Sequence, residues 1–191
     1  MHAEDLLMIP IAQSFSSEKV DDISGTTRKQ MQNTGVKFKK GSRIAITAGS
    51  RGIANIAAIT KATVDEVKSQ GALPFIIPAM GSHGGATAEG QREVLEHYGI
   101  TEETMGAPII STMDVVSIPN EDNDFKLYMS RDAYEADGVI VINRVKPHTD
   151  FHGPVESGLM KMCVIGLGKH AQALEMHRLG VYGLRELVPK A

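Results

Sequence analysis

Short apolar runs alternate with amphipathic segments along most of this chain, and polar, glycine-containing loops follow several of the runs. Such alternation is typical of strand–loop–helix crossover units, which build a parallel sheet with helices on both faces. The 191 residues, 42% hydrophobic and 23% charged, suit one ordinary globular domain. The sequence therefore predicts a single α/β domain over residues 1–191, with a mostly parallel, Rossmann-like sheet and some antiparallel strands.

The first half of the chain contains the two clearest crossover units. Asn55 is a candidate helix N-cap, and apolar residues recur after it at helical spacing until Gly71 stops the helix. The other elements predicted here are an initial strand at Leu6–Ala12, a helix within 18–34, strands at Ser42–Ala48 and Leu73–Pro78, and a helix at Thr87–His97.

The second half is predicted to contain further strands and then a helical end. A polar turn around Asn120–Asp124 separates two apolar runs, which favours an antiparallel pair. From Ser157 onward the pattern becomes helical, and it is still helical where the sequence stops. The strands predicted here are Pro108–Ser111, Val115–Pro119, Phe125–Met129 and Gly138–Asn143.

Composition argues against several classes of protein. No apolar run approaches the roughly 20 residues of a membrane span, and the N-terminus lacks a signal-peptide pattern. A net charge of −3, no tryptophan and 5% aromatic residues give no nucleic-acid footprint. The single cysteine, Cys163, cannot form an internal disulfide and suits a reducing cytoplasm.

Three loops that follow predicted strands carry reactive side chains. They are 48–55 with Arg51, 80–87 with His83, and 144–161 with His148, His152 and Lys161. In an open parallel sheet, ligands bind outside the carboxyl ends of the strands, in the loops that lead to helices. The convergence of three such loops predicts an active site on this rim.

The residue types in these loops favour an anionic ligand and proton transfer. Arg51 can present a guanidinium fork to a carboxylate or phosphate. His83 lies between small residues that allow a ligand to approach closely. Ser157-Gly158 opens a helix and suits a phosphate, and Lys161 lies on its first turn among apolar residues, where a lysine needs a partner or a chemical role.

A zinc site was the competing interpretation of the third loop. His148 and His152 with Asp150 have a spacing that ligates metal on a helix. Pro147 and the Gly153-Pro154 pair make a helix there unfavourable, so the sequence argues against zinc.

Taken together, these residues resemble the nickel-dependent lactate racemase family over nearly the whole chain, most strongly from Arg144 to Gly180. Each motif is short, but their order and spacings together are specific. The matching features are Arg51, the Gly81-Ser82-His83 loop, Pro147-His148, Ser157-Gly158 followed by Lys161, and His177 sixteen residues after Lys161.

The resemblance implies a racemase or epimerase of a 2-hydroxy carboxylic acid. Its cofactor is a nickel-pincer nucleotide, pyridinium-3-thioamide-5-thiocarboxylic acid mononucleotide, made by dedicated cofactor-synthesis enzymes. It would be attached to Lys161 beside Ser157 and Gly158, with His177 as the nickel ligand from the protein. The Cα hydrogen is thought to move to the cofactor and back.

The same resemblance assigns the remaining site residues. Arg51 would hold the substrate carboxylate, while His83 and His148 would serve as acid and base for the two enantiomers. Family members also carry a second, C-terminal α/β domain, and nothing in this sequence corresponds to it. We therefore expect this chain to be inactive without that domain.

Two departures from the family pattern bear on the substrate. The acidic residue expected shortly before the arginine is replaced at Ala48, and the spacing from His148 to Lys161 is longer. His152 therefore competes with His148 as the second catalytic histidine. These differences indicate a 2-hydroxy acid other than lactate.

Two alternatives belong to other classes. A non-catalytic module that binds a nucleotide or phosphorylated ligand would use Ser157-Gly158 as its phosphate cradle, and its ligand would be reversible and metal-free. An iron–sulfur-associated protein with a similar Lys-Pro-His loop is disfavoured, because Cys163 alone cannot hold a cluster.

Overall fold

The structure is a computed structural model that describes residues 9–120, 125–149, 151–153 and 155–191. Up to the loop that follows β5, it contains strands β1 to β5 and helices α1 to α5. In chain order they are α1 Ile23–Asn33, β1 Arg43–Ala48, α2 Ile56–Ser69, β2 Leu73–Pro78, α3 Ala88–His97, α4 Glu102–Met105, β3 Val115–Ile118, β4 Leu127–Ser130, α5 Arg131–Tyr134 and β5 Gly138–Ile140.

The rest of the chain is helical from Leu159 onward, as its apolar pattern predicts. Two stretches in it have π-helical hydrogen bonding, a feature often found at functional sites. The segments are α6 Leu159–Lys161, a π turn at Met162–Gly166, α7 Lys169–His177, α8 Gly180–Tyr182, a second π turn at Gly183–Leu187 and α9 Val188–Lys190.

A three-stranded parallel sheet forms the centre of the fold, in the order β2-β1-β5. β1 and β2 run in register from the Arg43–Leu73 pair to the Ala48–Pro78 pair, joined by the α2 crossover. A separate antiparallel hairpin pairs β3 with β4. The predicted α/β fold, its parallel sheet and the antiparallel pair are confirmed.

Alternate residues of the strands face two different cores. Ile44 and Ile46 of β1 pack with Val64 and Val67 of α2 on one face. On the other face, Ala45 of β1 packs with residues of α5 and of the first π turn. Both faces are thus covered, which explains the nearly continuous apolar runs of β1 and β2.

Several predicted strands differ from the structure, two of them around the parallel sheet. The prediction of a strand at Pro108–Ser111 is wrong, because only Ile109 of this segment pairs with β2, in a single bridge to Ile76. At the end of the segment, the Ser111 hydroxyl donates to the carbonyl of Ala88. β5 ends at Ile140 rather than Asn143. Past its end, the Ile142 amide donates to the side-chain hydroxyl of Thr47 instead of a strand carbonyl, at 3.0 Å.

Helix starts were predicted with mixed success. Thr87 caps α3, since its hydroxyl accepts from the Gly90 amide at 3.0 Å. Asn55 precedes α2 but adopts a left-handed backbone (φ 60°) and makes no side-chain cap, so that prediction is wrong. Residues 9–12 form no strand, and the rest of the predicted initial strand, like most of the 120–124 turn, lies outside the described residues.

Candidate active site at the carboxyl edge of the sheet

A cavity of about 230 Å³ lies where the three parallel strands end. Its walls include Ser50 and Arg51 after β1, Ser82 and His83 after β2, and the loop from Asn143 after β5. This is the rim at which an open parallel sheet binds its ligands. The first π turn and the end of α7 complete the walls.

The charged side chains in the described walls of this cavity are all basic. Arg51, Arg144, Lys146 and Lys161 face it, and among its described lining residues there is no carboxylate. Three histidines, His83, His148 and His177, line the same space. Concentrated positive charge around a small cavity attracts an anion, so the site is suited to a carboxylate or phosphate.

The loop that carries His83 is held from both sides. Gly81 has a positive φ of 61°, and a β-carbon there would lie 3.1 Å from Cγ2 of Ile165 in the π turn. The side-chain amide of Gln91, fully buried on α3, donates to the carbonyls of Gly81 at 2.9 Å and His83 at 3.1 Å. The backbone on both sides of Ser82 is therefore fixed.

His83 contacts a side chain of the first loop at each ring nitrogen. The Ser50 hydroxyl lies within hydrogen-bond distance of Nδ1, and a guanidinium nitrogen of Arg51 lies 3.4 Å from Nε2. Partial burial, then the charges of Arg51 and Lys161, lower the pKa of His83 below its ordinary value of 6.5. The imidazole is therefore neutral at pH 7, as a general base must be.

Lys161 and His148 meet in the same cavity, with Nζ of the lysine 3.0 Å from Nε2 of the histidine. The His148 ring also packs against Phe151, with ring centres 4.3 Å apart. Burial, then the neighbouring charges of Arg51 and Lys146, lower the pKa of Lys161 from 10.5. A larger share of the lysine is thus the neutral amine, which is its nucleophilic form.

Glu156 organises the loop that presents His148. Its carboxylate accepts from the backbone amides of His148 at 2.7 Å and Gly153 at 3.3 Å, and lies 3.2 Å from the His152 ring. The amide of His148 is the main cause of the lowered pKa of Glu156. His152 is not among the residues that line the cavity and its side chain is 89% exposed, whereas His148 lines it.

The remaining predicted residues differ in their placement. Ser157 lines the cavity, whereas Gly158 is not among the lining residues. Gly158 has a φ of 122°, and its carbonyl accepts a hydrogen bond from the side-chain amide of Asn143 at 2.6 Å. His177 ends α7 and lines the cavity, and its Nδ1 donates to the Ala173 carbonyl at 2.6 Å. That bond leaves the lone pair of the neutral ring on Nε2, where a metal ion binds.

Sequence reasoning did not single out several residues that build the site. Ser50 is the neighbour of Arg51 in the first loop, and Asn143 and Lys146 belong to the polar stretch that contains His148. Their position next to predicted site residues is the feature of the sequence that could have identified them. Gln91 and Glu156 gave no such signal. Their roles depend on carbonyls and amides elsewhere in the fold.

No helix in the part of the chain that the structure describes is long and apolar enough to cross a membrane. Within the same residues, no group of three or more His, Cys, Asp or Glu is arranged to hold a metal ion. Asp150, a member of the zinc interpretation, lies outside the described residues.

Comparison with known proteins gives one family. No curated protein and no solved structure matches the chain. The profile of the DUF362 family, described as a domain of unknown function, matches residues 47–187. That stretch contains the end of β1, the whole of β2 and β5, and all of the site residues from Arg51 to His177. The chain belongs to the DUF362 family.

Proposed function

We propose that this chain is the cofactor-carrying domain of a racemase or epimerase that acts on a 2-hydroxy carboxylic acid. The observation that carries the proposal is the composition of one cavity, in which Arg51, His83, His148 and Lys161 meet from three separate loops. An anion-binding group, two imidazoles and an amine with a lowered pKa are what such a reaction asks of the protein.

Substrate binding rests on the positive charge of the cavity. The guanidinium of Arg51 presents donors suited to a carboxylate, and it is exposed at the mouth of the site. Because the described walls carry no carboxylate, an anionic substrate meets no repulsion there.

Proton transfer is assigned to the two histidines. His83 is neutral at pH 7, because its pKa is lowered, and accepts the hydroxyl proton of one enantiomer. His148 is the base for the other enantiomer, and each ring is the acid for the enantiomer that it does not deprotonate. In one turnover, neutral His83 therefore takes the hydroxyl proton of one enantiomer, and protonated His148 gives a proton to the hydroxyl of the other. Two groups on opposite sides of the substrate suit a reaction that interconverts mirror-image molecules. His152 is not given this role, since it does not line the cavity.

The residues also fit a nickel-pincer nucleotide. Lys161 offers the attachment nitrogen, His177 offers an Nε2 lone pair to nickel, and Ser157 with the surrounding cations suits the phosphate. The hydrogen bond from the Asn143 side chain to the Gly158 carbonyl joins the loop after β5 to the start of the helix that carries Lys161. The chemistry that such a cofactor supplies is reversible acceptance of the Cα hydrogen with its electron pair.

The proposal includes further partners. A second α/β domain would close over the open side of the cavity and exclude water, and cofactor-synthesis enzymes would supply the nucleotide. The chain's lone cysteine, Cys163, suits a cytoplasmic setting.

A second candidate function has one observation in its favour. The excess of cations over carboxylates in the described cavity walls also fits a module that binds a phosphorylated ligand without catalysis. Such a module would bind a mononucleotide reversibly, with no covalent bond to Lys161 and no nickel.

The test is to produce the chain together with the cofactor-synthesis enzymes, then measure intact mass, peptide masses and nickel. We expect an adduct on the peptide that contains Lys161 and about one nickel per adduct. The Lys161→Gln variant should lose the adduct, and Lys146→Gln, altered in the same cavity, should keep it. An adduct on another lysine, or reversible nucleotide binding alone, would overturn the proposal in favour of the binding module.

Turnover is tested with the loaded chain and its second domain, fused or added separately. It should interconvert the enantiomers of a short 2-hydroxy acid, and unloaded protein should not. Either His83→Ala or His148→Ala should lower the rate in both directions, on the order of 10²–10⁴-fold. A loss confined to His152→Ala would reassign the second base.

A further inference from the structure

We infer that Ser50 is a positioning residue for His83. Its hydroxyl keeps the neutral imidazole protonated on Nδ1, so that the lone pair of the ring is on Nε2. The Ser50 hydroxyl lies within hydrogen-bond distance of Nδ1, although the two residues are 33 positions apart in the chain. The role of this arrangement in catalysis rests on the proposed function, but the arrangement itself does not.

The contact at Nε2 of His83 indicates the direction of the hydrogen bond between Nδ1 and Ser50. A guanidinium has donors only, and one of its nitrogens in Arg51 lies 3.4 Å from Nε2 of His83. Nε2 must therefore accept, so the proton of the neutral ring is on Nδ1. It follows that Nδ1 donates and the Ser50 oxygen accepts.

Ser50 is itself held in place by α3. The Tyr98 hydroxyl donates to the Ser50 carbonyl at 2.8 Å, and the Gly52 amide donates to the Tyr98 oxygen at 3.3 Å. Tyr98 is the C-cap residue that directly follows α3, the helix that also carries Gln91. One helix thus fixes both the backbone of His83 and the serine that contacts its ring.

The inferred tautomer has a direct chemical use. An anionic substrate draws the Arg51 guanidinium toward its carboxylate and uncovers the Nε2 lone pair on the cavity side. The opposite tautomer would present Nε2–H there, and that form is unable to accept a proton. Once Arg51 has moved to the substrate, the Ser50 oxygen remains as the acceptor of the Nδ1 proton, and this keeps the lone pair of the ring on Nε2.

The test is ¹⁵N NMR of the histidine rings in the full chain without cofactor, at a pH where His83 is neutral. The His83→Gln variant assigns the signal. We expect a protonated Nδ1 and an unprotonated Nε2 in the wild type. Ser50→Ala should shift the pair toward the Nε2–H tautomer, and Ser50→Thr, which keeps the hydroxyl, should restore the wild-type pattern.

Three results would overturn the inference. They are a wild-type ring protonated on Nε2, an unchanged tautomer in Ser50→Ala, or no recovery in Ser50→Thr. Unaltered thermal unfolding and unaltered signals of the other histidines show that Ser50→Ala still folds. The inference and the proposed function fail separately, because the tautomer is measured without cofactor whereas the proposed function depends on the Lys161 adduct and racemisation.

Discussion

Nζ of Lys161 and Nε2 of His148 lie 3.0 Å apart, so the amine proposed to carry a cofactor contacts the nitrogen proposed to act as a base. While Lys161 is an ammonium, it donates to Nε2 and keeps that lone pair occupied. Conversion of its nitrogen into an amide or thioamide removes the positive charge. Attachment at Lys161 would therefore replace a charged donor to Nε2 of His148 with a neutral one, which binds that lone pair less strongly.

Lys161 should react as an amine of lowered pKa. In trace labelling with an acylating reagent across pH, we expect its half-maximal reactivity below pH 10.5, because burial and the charges of Arg51 and Lys146 disfavour the ammonium. Arg51→Gln should raise that midpoint. Lys29, exposed on α1, is the control. Equal midpoints for Lys161 and Lys29 would contradict the electrostatics described here.

His83 should respond to an anion in the cavity. A short carboxylate such as lactate offsets the charges of Arg51 and Lys161, so its binding should raise the pKa of His83 from its lowered value. An NMR pH titration with and without lactate measures the change, and propane-1,2-diol is the uncharged control. If the proposed base is right, activity falls as pH drops through this pKa. No rise with lactate or with any other 2-hydroxy acid tested would place the anion elsewhere.

His177 is expected to ligate nickel, whereas His170, seven residues earlier on α7 and outside the described cavity lining, is not. In protein loaded with cofactor, His177→Ala should lose nickel yet keep the adduct on Lys161. His170→Ala should keep both. Metal analysis with peptide mass spectrometry measures the two losses, and full nickel in His177→Ala would remove this residue from the site.

Lys169 should make stability depend on pH in the alkaline range. It is 1% exposed, bonds to the Pro78 carbonyl at 2.6 Å, and has a pKa lowered to about 8, chiefly by burial. Below pH 8 Lys169 is charged in both states, so the folded state bears the whole cost of burying the charge. Between pH 8 and about 10.5 the folded chain has lost this proton while the unfolded chain still holds it, so the free energy of unfolding rises with pH.

The Lys169→Met variant isolates this effect. The stability of the wild type relative to this variant should rise across that window by up to about 3 kcal/mol. Urea unfolding at several pH values measures it, and Lys29→Met should show no such trend. A constant difference between wild type and Lys169→Met would mean that the lysine keeps an ordinary pKa in the fold.

Gly81 and Gly85 provide a matched pair in the His83 loop. Both have positive φ, 61° and 64°, so alanine at either position is strained by about 1–2 kcal/mol. At Gly81 the new β-carbon would also lie 3.2 Å from the Ile165 carbonyl oxygen, while at Gly85 it meets no atom within 4 Å. Gly81→Ala should therefore cost more in urea unfolding than Gly85→Ala. Equal costs would show that the π turn yields easily.

Local sequence patterns predicted most of the strands and helices, and the rim of the sheet on which the reactive side chains lie. β2 was predicted with its observed bounds and β1 to within one residue, because a strand buried on both faces leaves a continuous apolar run. The placement of Arg51, His83 and Lys161 on one rim followed from the rule that parallel strands end on the same side. Local patterns carry this information because strand and helix periodicities are local.

Contacts between residues that are distant in sequence became visible only in the folded chain. His148 lines the cavity and His152 does not. The sequence could not distinguish the two, because both lie in the same loop. The bonds of Ser50 to His83 and of Gln91 to the same loop join elements far apart in sequence. Asn55 resembled a cap, but its backbone is left-handed. No periodicity records such contacts, because they arise only when separate elements pack together.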